Sequence, residues 1–260
     1  MTEFVTTADG VEIAYDREGG GRPIVLIGGA GQFRAVDPAT RALTTELAGR
    51  GFDVVHYDRP GRGDSGGEPP FTLDGEVAAL RALVGAVGGR ATLYGSSSGG
   101  LIALAAAAAL PGVERLLLWE VPLGEEEGAD GAALLAEIEG LAAAGDREGT
   151  LRRFMAGMPP EWFEGMRTGP HWPLFERMAP SVRADAEALA WAQSAPWARL
   201  WSQVTVPVTV LLGSAAFPFF HAAADALVAS LARAERAEIP GKDHGWEPAD
   251  LADAITALLG

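Results

Sequence analysis

The sequence predicts an α/β protein, a mostly parallel eight-stranded sheet flanked by helices, with a helical cap insertion late in the chain. Three observations predict it. Short apolar segments recur between Gly-rich turns and Ala/Leu-rich stretches, the alternation produced when crossover helices cover both faces of a parallel sheet. One strand-to-helix turn carries Gly95-x-Ser97-x-Gly99. Between Pro122 and about Pro207 the strand signals stop, and Glu, Ala, Met, Trp and Pro appear at helical spacing.

Taken in order, Phe4 to Thr7 and Val11 to Tyr15 read as an antiparallel hairpin joined through Asp9-Gly10, a pair that readily supplies positive φ angles. The remaining strands, expected to be parallel, are Ile24 to Gly28, Asp53 to Tyr57, Ala91 to Tyr94, Arg115 to Trp119, Val208 to Leu212 and Arg236 to Ile239. Ala103 to Ala109 reads as a closely packed helix, because alanine has the best helix propensity and permits close approach to a sheet. The expected organisation is a core in two parts, 1–122 and 201–260, with the cap at 123–200. No long-period repeat or low-complexity linker interrupts it.

Length and composition narrow the functional classes. A chain of 260 residues, 48% hydrophobic and 21% charged, can bury the core of one domain carrying an insertion. No apolar run is long enough for a membrane span, and Met1 to Gly10 lacks the basic and apolar regions of a secretory signal, so a cytoplasmic address is expected. The net charge of −15 argues against nucleic acid or an anionic membrane surface, which need clustered cations. With no cysteine, thiol nucleophiles and thiolate metal sites are excluded. The expected partner is a small uncharged or apolar molecule, bound by a monomer or a homodimer.

Ser97 is the candidate nucleophile, because Gly95-Ser96-Ser97-Ser98-Gly99 between an apolar strand and a helix meets the nucleophile-elbow pattern. The sharp turn strains the backbone and exposes Oγ, and the glycines leave room for strand and helix to approach. Ser98 N–H, at the start of the following helix, is a candidate oxyanion donor. A second should come from the loop after Ile24 to Gly28, at Gly29 or Ala30. That loop is glycine-rich but lacks the Lys-Ser/Thr pair of a phosphate-binding loop.

Of four histidines, at 56, 171, 221 and 244, His244 is the candidate base, lying between the last strand and the final helix. His56 reads as a structural strand histidine, while His171 and His221 are placed either at the pocket border or in solvent. Asp58, Arg59, Arg62, Asp64 and Ser65 read as a structural turn whose members bind backbone and one another.

Together the elbow, the Tyr57 to Ser65 turn and the late His244 resemble the α/β-hydrolase superfamily over nearly the whole chain. In most such families the acid follows the penultimate strand, yet Gly213 to Pro218 holds no carboxylate. Glu120, at the end of Arg115 to Trp119, stands at the alternative position used by haloalkane dehalogenases and zearalenone lactone hydrolases. The chain resembles the latter more closely, in its serine-rich elbow, Glu120-x-Pro122 and helical insertion before Trp201. That resemblance implies Ser97 as nucleophile, His244 as base, Glu120 as orienting acid, and Ser98 with Gly29 as oxyanion donors. Trp172 is the candidate ring over the substrate, and Met155 and Met158 are candidate pocket residues. It implies a serine hydrolase of esters or lactones of bulky apolar molecules, possible substrates including a zearalenone-type macrolactone, with no cofactor and no metal. The rival readings are a non-hydrolytic enzyme of the same fold, performing cyclisation, elimination or C–C bond formation, and a ligand-binding receptor.

Overall fold

The computed structural model describes residues 1–260. Its sheet has eight strands in the spatial order β1-β2-β4-β3-β5-β6-β7-β8. They are β1 (Glu3–Thr6), β2 (Glu12–Gly19), β3 (Arg22–Ile27), β4 (Phe52–Tyr57), β5 (Ala91–Ser96), β6 (Val113–Trp119), β7 (Val208–Ala215) and β8 (Ala234–Lys242). β2 pairs antiparallel with both β1 and β4, and all pairings from β4 through β8 are parallel. The expected hairpin forms, with Gly10 N–H donating to Thr7 O at 3.0 Å. Its central residues are Ala8 and Asp9, so only Gly10 takes a positive φ, of 90°.

Side-chain alternation explains how both faces are covered. In β3, Val25 and Ile27 enter one apolar cluster while Ile24 and Leu26 enter the other. β6 repeats this with Leu116 and Leu118 against Leu117 and Trp119. A strand buried on both faces must be continuously apolar, as Leu116 to Trp119 is. Each such leucine contributes about 1.5–3 kcal/mol through burial.

α3 (Ser98–Ala109) packs on one face together with α2 (Leu73–Ala86). α1 (Pro38–Gly49) and α11 (Pro248–Leu259) cover the other through Leu43, Leu47, Leu251 and Ile255. α10 (Pro218–Ser230) connects β7 to β8. Between β6 and β7 the chain forms α4 (Asp130–Ala143), α5 (Arg147–Phe154), α6 (Pro160–Thr168) and α7 (Trp172–Met178), then α8 (Val182–Trp191) and α9 (Trp197–Leu200), with no strand. These helices make a cap. No helix is long and apolar enough to cross a membrane.

Candidate active site

The elbow is built where β5 turns into α3. Ser97 has φ 55° and ψ −128°, and the turn is pinned by Ser97 N–H to Trp119 O at 2.8 Å. Close packing makes glycine obligatory around it. A Cβ on Gly95 would lie 2.6 Å from Gly99 O, and one on Gly99 would lie 2.5 Å from Ile27 O.

The end of β6 supplies the carboxylate. Glu120 is fully buried, takes φ 40°, and keeps one backbone rung, its N–H donating to Leu211 O at 3.0 Å. Its Oε1 accepts Gly213 N–H at 3.1 Å, and its Oε2 lies 2.6 Å from His244 Nδ1. Both carboxylate oxygens are therefore engaged, which a buried carboxylate requires.

His244 sits in a tight turn at the end of β8, where Gly245 N–H donates to Lys242 O at 2.8 Å and Lys242 N–H to Gly245 O at 3.1 Å. The two central residues, Asp243 and His244, have φ of 51° and 63°, as a primed turn demands. Asp243 tolerates that region better than most residues and points to solvent, away from any role as partner of its neighbour's ring. The imidazole is stacked on Phe220 at 4.6 Å between centroids, and Trp119 Nε1 donates to His244 O at 3.2 Å. Glu120 and Phe220 thus fix the ring, and Trp119 holds the backbone that carries it.

Ser97 and His244 line the same cavity of about 410 Å³, with Phe154, Met158, Trp162 and Phe220 among its walls. A second cavity of about 240 Å³, bordered by Ala30, Met155 and Trp246, also contains Ser97, Met158, Trp162 and His244. Ser97 and His244 therefore stand where two lobes meet, with Met158 and Trp162 shared between them. No Asp, Glu, Lys or Arg lines either lobe.

The two candidate donors in the loop after β3 differ. Gly29 N–H is already held by Gln32 Oε1 at 2.6 Å, whereas the Ala30 and Ser98 amides have no hydrogen bond within the protein. Gln32 is itself anchored to Asp37 at 2.9 Å. Trp172 does not line either lobe. It packs edge-on against Phe163 at 6.1 Å inside the cap, and the tryptophan that lines both lobes with Ser97 is Trp162. Residue order alone does not distinguish these tryptophans, because their facing depends on how α6 and α7 fold back.

His221 and His171 also lie outside the lobes: His221 Nδ1 meets Arg236 at 2.8 Å, and His171 precedes α7 on the surface. His56 is buried in β4, and burial lowers its pKa against the opposing pull of Asp37 and Asp58. The turn after β4 is tied both to itself and to the loop after β3, Asp58 accepting from Asp64 N–H at 2.9 Å and from Arg34 N–H at 2.8 Å. No group of three or more His, Asp or Glu side chains is arranged to hold a metal ion.

The sequence pattern of the Alpha/beta hydrolase family matches residues 24–254. The chain belongs to that family. Among solved structures, this hydrolase-family chain is similar to an alpha/beta hydrolase from Sphaerobacter thermophilus, with 31% identity and a TM-score of 0.84 over 99% of this chain and 100% of the other. An enol-lactonase from Burkholderia xenovorans LB400 matches at 22% identity and a TM-score of 0.66, covering 99% and 98% of the two chains. A thermophilic esterase from Thermogutta terrifontis matches at 21% identity and a TM-score of 0.66, covering 100% and 96%. No curated protein matches the sequence.

Proposed function

We propose that this protein is a serine hydrolase that cleaves uncharged carboxylic esters or lactones through an acyl-enzyme on Ser97. The observation that carries the reading is the Glu120–His244 contact beside a strained serine in one shared cavity. With His244 Nδ1–H donating to Glu120, the Nε2 lone pair is free to take a proton.

In the first half-reaction Ser97 Oγ attacks the carbonyl carbon as His244 Nε2 accepts its proton. Glu120 stabilises the imidazolium, and Ala30 N–H and Ser98 N–H receive the oxyanion. The C–O bond then breaks, and His244 gives the proton to the departing alkoxide. Water then attacks the acyl carbon as His244 takes its proton, the bond from that carbon to Ser97 Oγ breaks, and His244 returns the proton to Oγ, releasing the acid and the free serine. For a lactone, acid and alcohol remain one hydroxy acid.

The lobes support an uncharged substrate with apolar groups on both sides of the carbonyl, since a charged group there would meet no counter-charge. Within that class the sequence resemblance implies a zearalenone-type macrolactone. Met155, Met158 and Trp162 are the proposed binding residues, and the proposed core and cap divide at 1–122, 123–200 and 201–260.

The test is a p-nitrophenyl ester and lactone panel, that macrolactone included, followed by mass detection of acylated Ser97. A stoichiometric burst and an acyl mass on Ser97 are expected, both lost in Ser97→Ala. Turnover that survives Ser97→Ala would overturn the reading.

A further inference from the structure

Behind the elbow lies a network of four charges that the mechanism above leaves unused. Arg59 and Arg62 come from the turn after β4, Glu76 from α2 and Asp185 from cap helix α8, and all four are at most 1% exposed. Arg59 binds Glu76 at 2.8 Å and Asp185 at 2.6 Å, and Arg62 binds the other Asp185 oxygen. Two cations and two anions balance. Burial raises the Asp185 carboxyl, but Arg59 and Arg62 outweigh it and hold it below its ordinary value.

Desolvating four ions is expensive, and apolar residues of similar volume often serve stability as well or better. What apolar residues could not do is bind the backbone of the loop after β3 and the elbow: Arg59 Nη1 donates to Gly28 O at 3.2 Å and lies 3.5 Å from Gly29 O, the longer of the two guanidinium contacts to that carbonyl. Arg62 Nη1 donates to Gly29 O at 2.8 Å, and Ser98 Oγ donates to Asp185 Oδ1 at 2.7 Å. Gly29 C=O and Ala30 N–H belong to one planar trans peptide, so a bond that fixes the carbonyl fixes the amide on its opposite edge. A guanidinium on that carbonyl also polarises the peptide, strengthening its N–H as a donor. Asp185 binds Arg62 on one oxygen and, on the other, the side chain of Ser98, whose amide is the second free donor.

We propose that Arg62 and Asp185 are positioning residues of the oxyanion hole. Arg62 orients and polarises the Gly29–Ala30 peptide, and Asp185 ties Arg62 and Ser98 to α8, so that oxyanion binding depends on a seated cap. This rests on the reading that Ser97 forms an acyl-enzyme.

The experiment uses the full chain and its Arg62→Met, Arg62→Lys, Asp185→Asn and Ser98→Ala variants, each checked for folding by circular dichroism. For each, kcat and KM are measured on a p-nitrophenyl ester. Alongside them is measured the inhibition constant of a trifluoromethyl ketone, which adds to Ser97 as a tetrahedral oxyanion, and of the matching non-fluorinated ketone. Arg62→Met is expected to lower kcat about 10²-fold, the scale of one oxyanion donor. It should weaken the trifluoromethyl ketone by the same factor, with KM and the plain ketone within twofold. Arg62→Lys should recover part of the loss, because an ammonium can reach one acceptor but not the forked set. Ser98→Ala keeps its backbone amide and the fold of α3, and supplies the reading should the charge variants not fold: its kcat and trifluoromethyl ketone affinity are expected to fall together, about tenfold.

Folded variants whose kcat drops while the affinity ratio of the two ketones stays at the wild-type value would overturn the proposal. So would variants with wild-type kcat. Absence of a Ser97 adduct in the wild type is a different failure, since it would overturn the acyl-enzyme reading itself.

Discussion

Replacing Glu120 by glutamine is the most searching perturbation of the site, because it changes a charge and almost nothing of the shape. The Glu120 Oε2 to His244 Nδ1 distance of 2.6 Å places the two charge centres about 4 Å apart when the ring is protonated. At an effective dielectric near 20, that attraction is about 4 kcal/mol, or roughly 10³-fold in rate. A second loss follows from the amide. If glutamine turns its NH₂ toward Nδ1, the ring must carry its proton on Nε2, and no lone pair faces Ser97. In serine proteases the equivalent amide substitution costs about 10⁴-fold.

Glu120→Gln is therefore expected to lower kcat on a p-nitrophenyl ester by about 10³- to 10⁴-fold, with KM little changed. The thermal midpoint should hardly move, since the Gly213 N–H still meets a side-chain oxygen. Glu120→Ala should lose activity and also stability, because it leaves that amide buried and unpaired, at about 1–3 kcal/mol. Stopped-flow measurement of the acylation step isolates the effect from product release. A folded Glu120→Gln enzyme acylating within tenfold of wild type would refute the assignment of the carboxylate to imidazolium stabilisation.

Other consequences follow from the packing. His56 has its pKa lowered by burial, so below the ordinary value of 6.5 the unfolded chain binds a proton that the folded chain refuses. Stability is thus full above pH 6.5 and falls as pH drops toward the folded-state value, by up to about 1.4 kcal/mol per pH unit. Denaturant midpoints at pH 7 and pH 5 should show this, and His56→Gln should flatten the difference; an unchanged slope would remove His56 as its source. Trp162→Ala, which opens the wall shared by the lobes, is expected to shift the kcat/KM ratio of large to small acyl groups toward the large ones by about tenfold or more, since a single methylene in an apolar pocket is already worth that much. Gly99→Ala forces a Cβ to 2.5 Å from Ile27 O and should cost about 1–3 kcal/mol by chemical denaturation.

The residues legible from the sequence were those whose role is local. Gly95 to Gly99 works within one turn, and strands such as Leu116 to Trp119 declare burial on both faces by being apolar throughout. The strand ends were less legible: β2 runs to Gly19 and β8 from Ala234, through charged residues that the sheet accepts at an exposed edge or along solvent. The Arg59 and Arg62 turn looks purely structural in sequence, and its partner Asp185 carries no signal there. Nothing in Ala184-Asp185-Ala186 announces that α8 carries its acid to a site some 90 residues earlier in the chain, since that contact depends on how the cap folds over. Likewise Gly29 and Ala30 look equivalent in sequence. Only the reach of the Gln32 side chain separates an occupied amide from a free one.

Placing the proposed acid, Glu120, at the end of β6 has a structural requirement on the neighbouring strands, and it yields one more test. Glu120 reaches His244 across the space beside Gly213 and Gly241. A Cβ on Gly213 would lie 2.9 Å from Gly241 backbone and 3.0 Å from Glu120 Oε1. The absence of a carboxylate at Gly213 to Pro218 and the presence of glycine at 213 are then one arrangement, in which β7 gives up a side chain and lends its amide to Glu120. Gly213→Ala should displace the carboxylate and lower kcat/KM by about tenfold or more. If it acts through Glu120, the same change made on top of Glu120→Gln should cost much less, because the charge it misplaces is already gone. Losses that simply multiply in the double variant would mean that Gly213 acts independently of the Glu120 charge, and the link between the two positions would have to be abandoned.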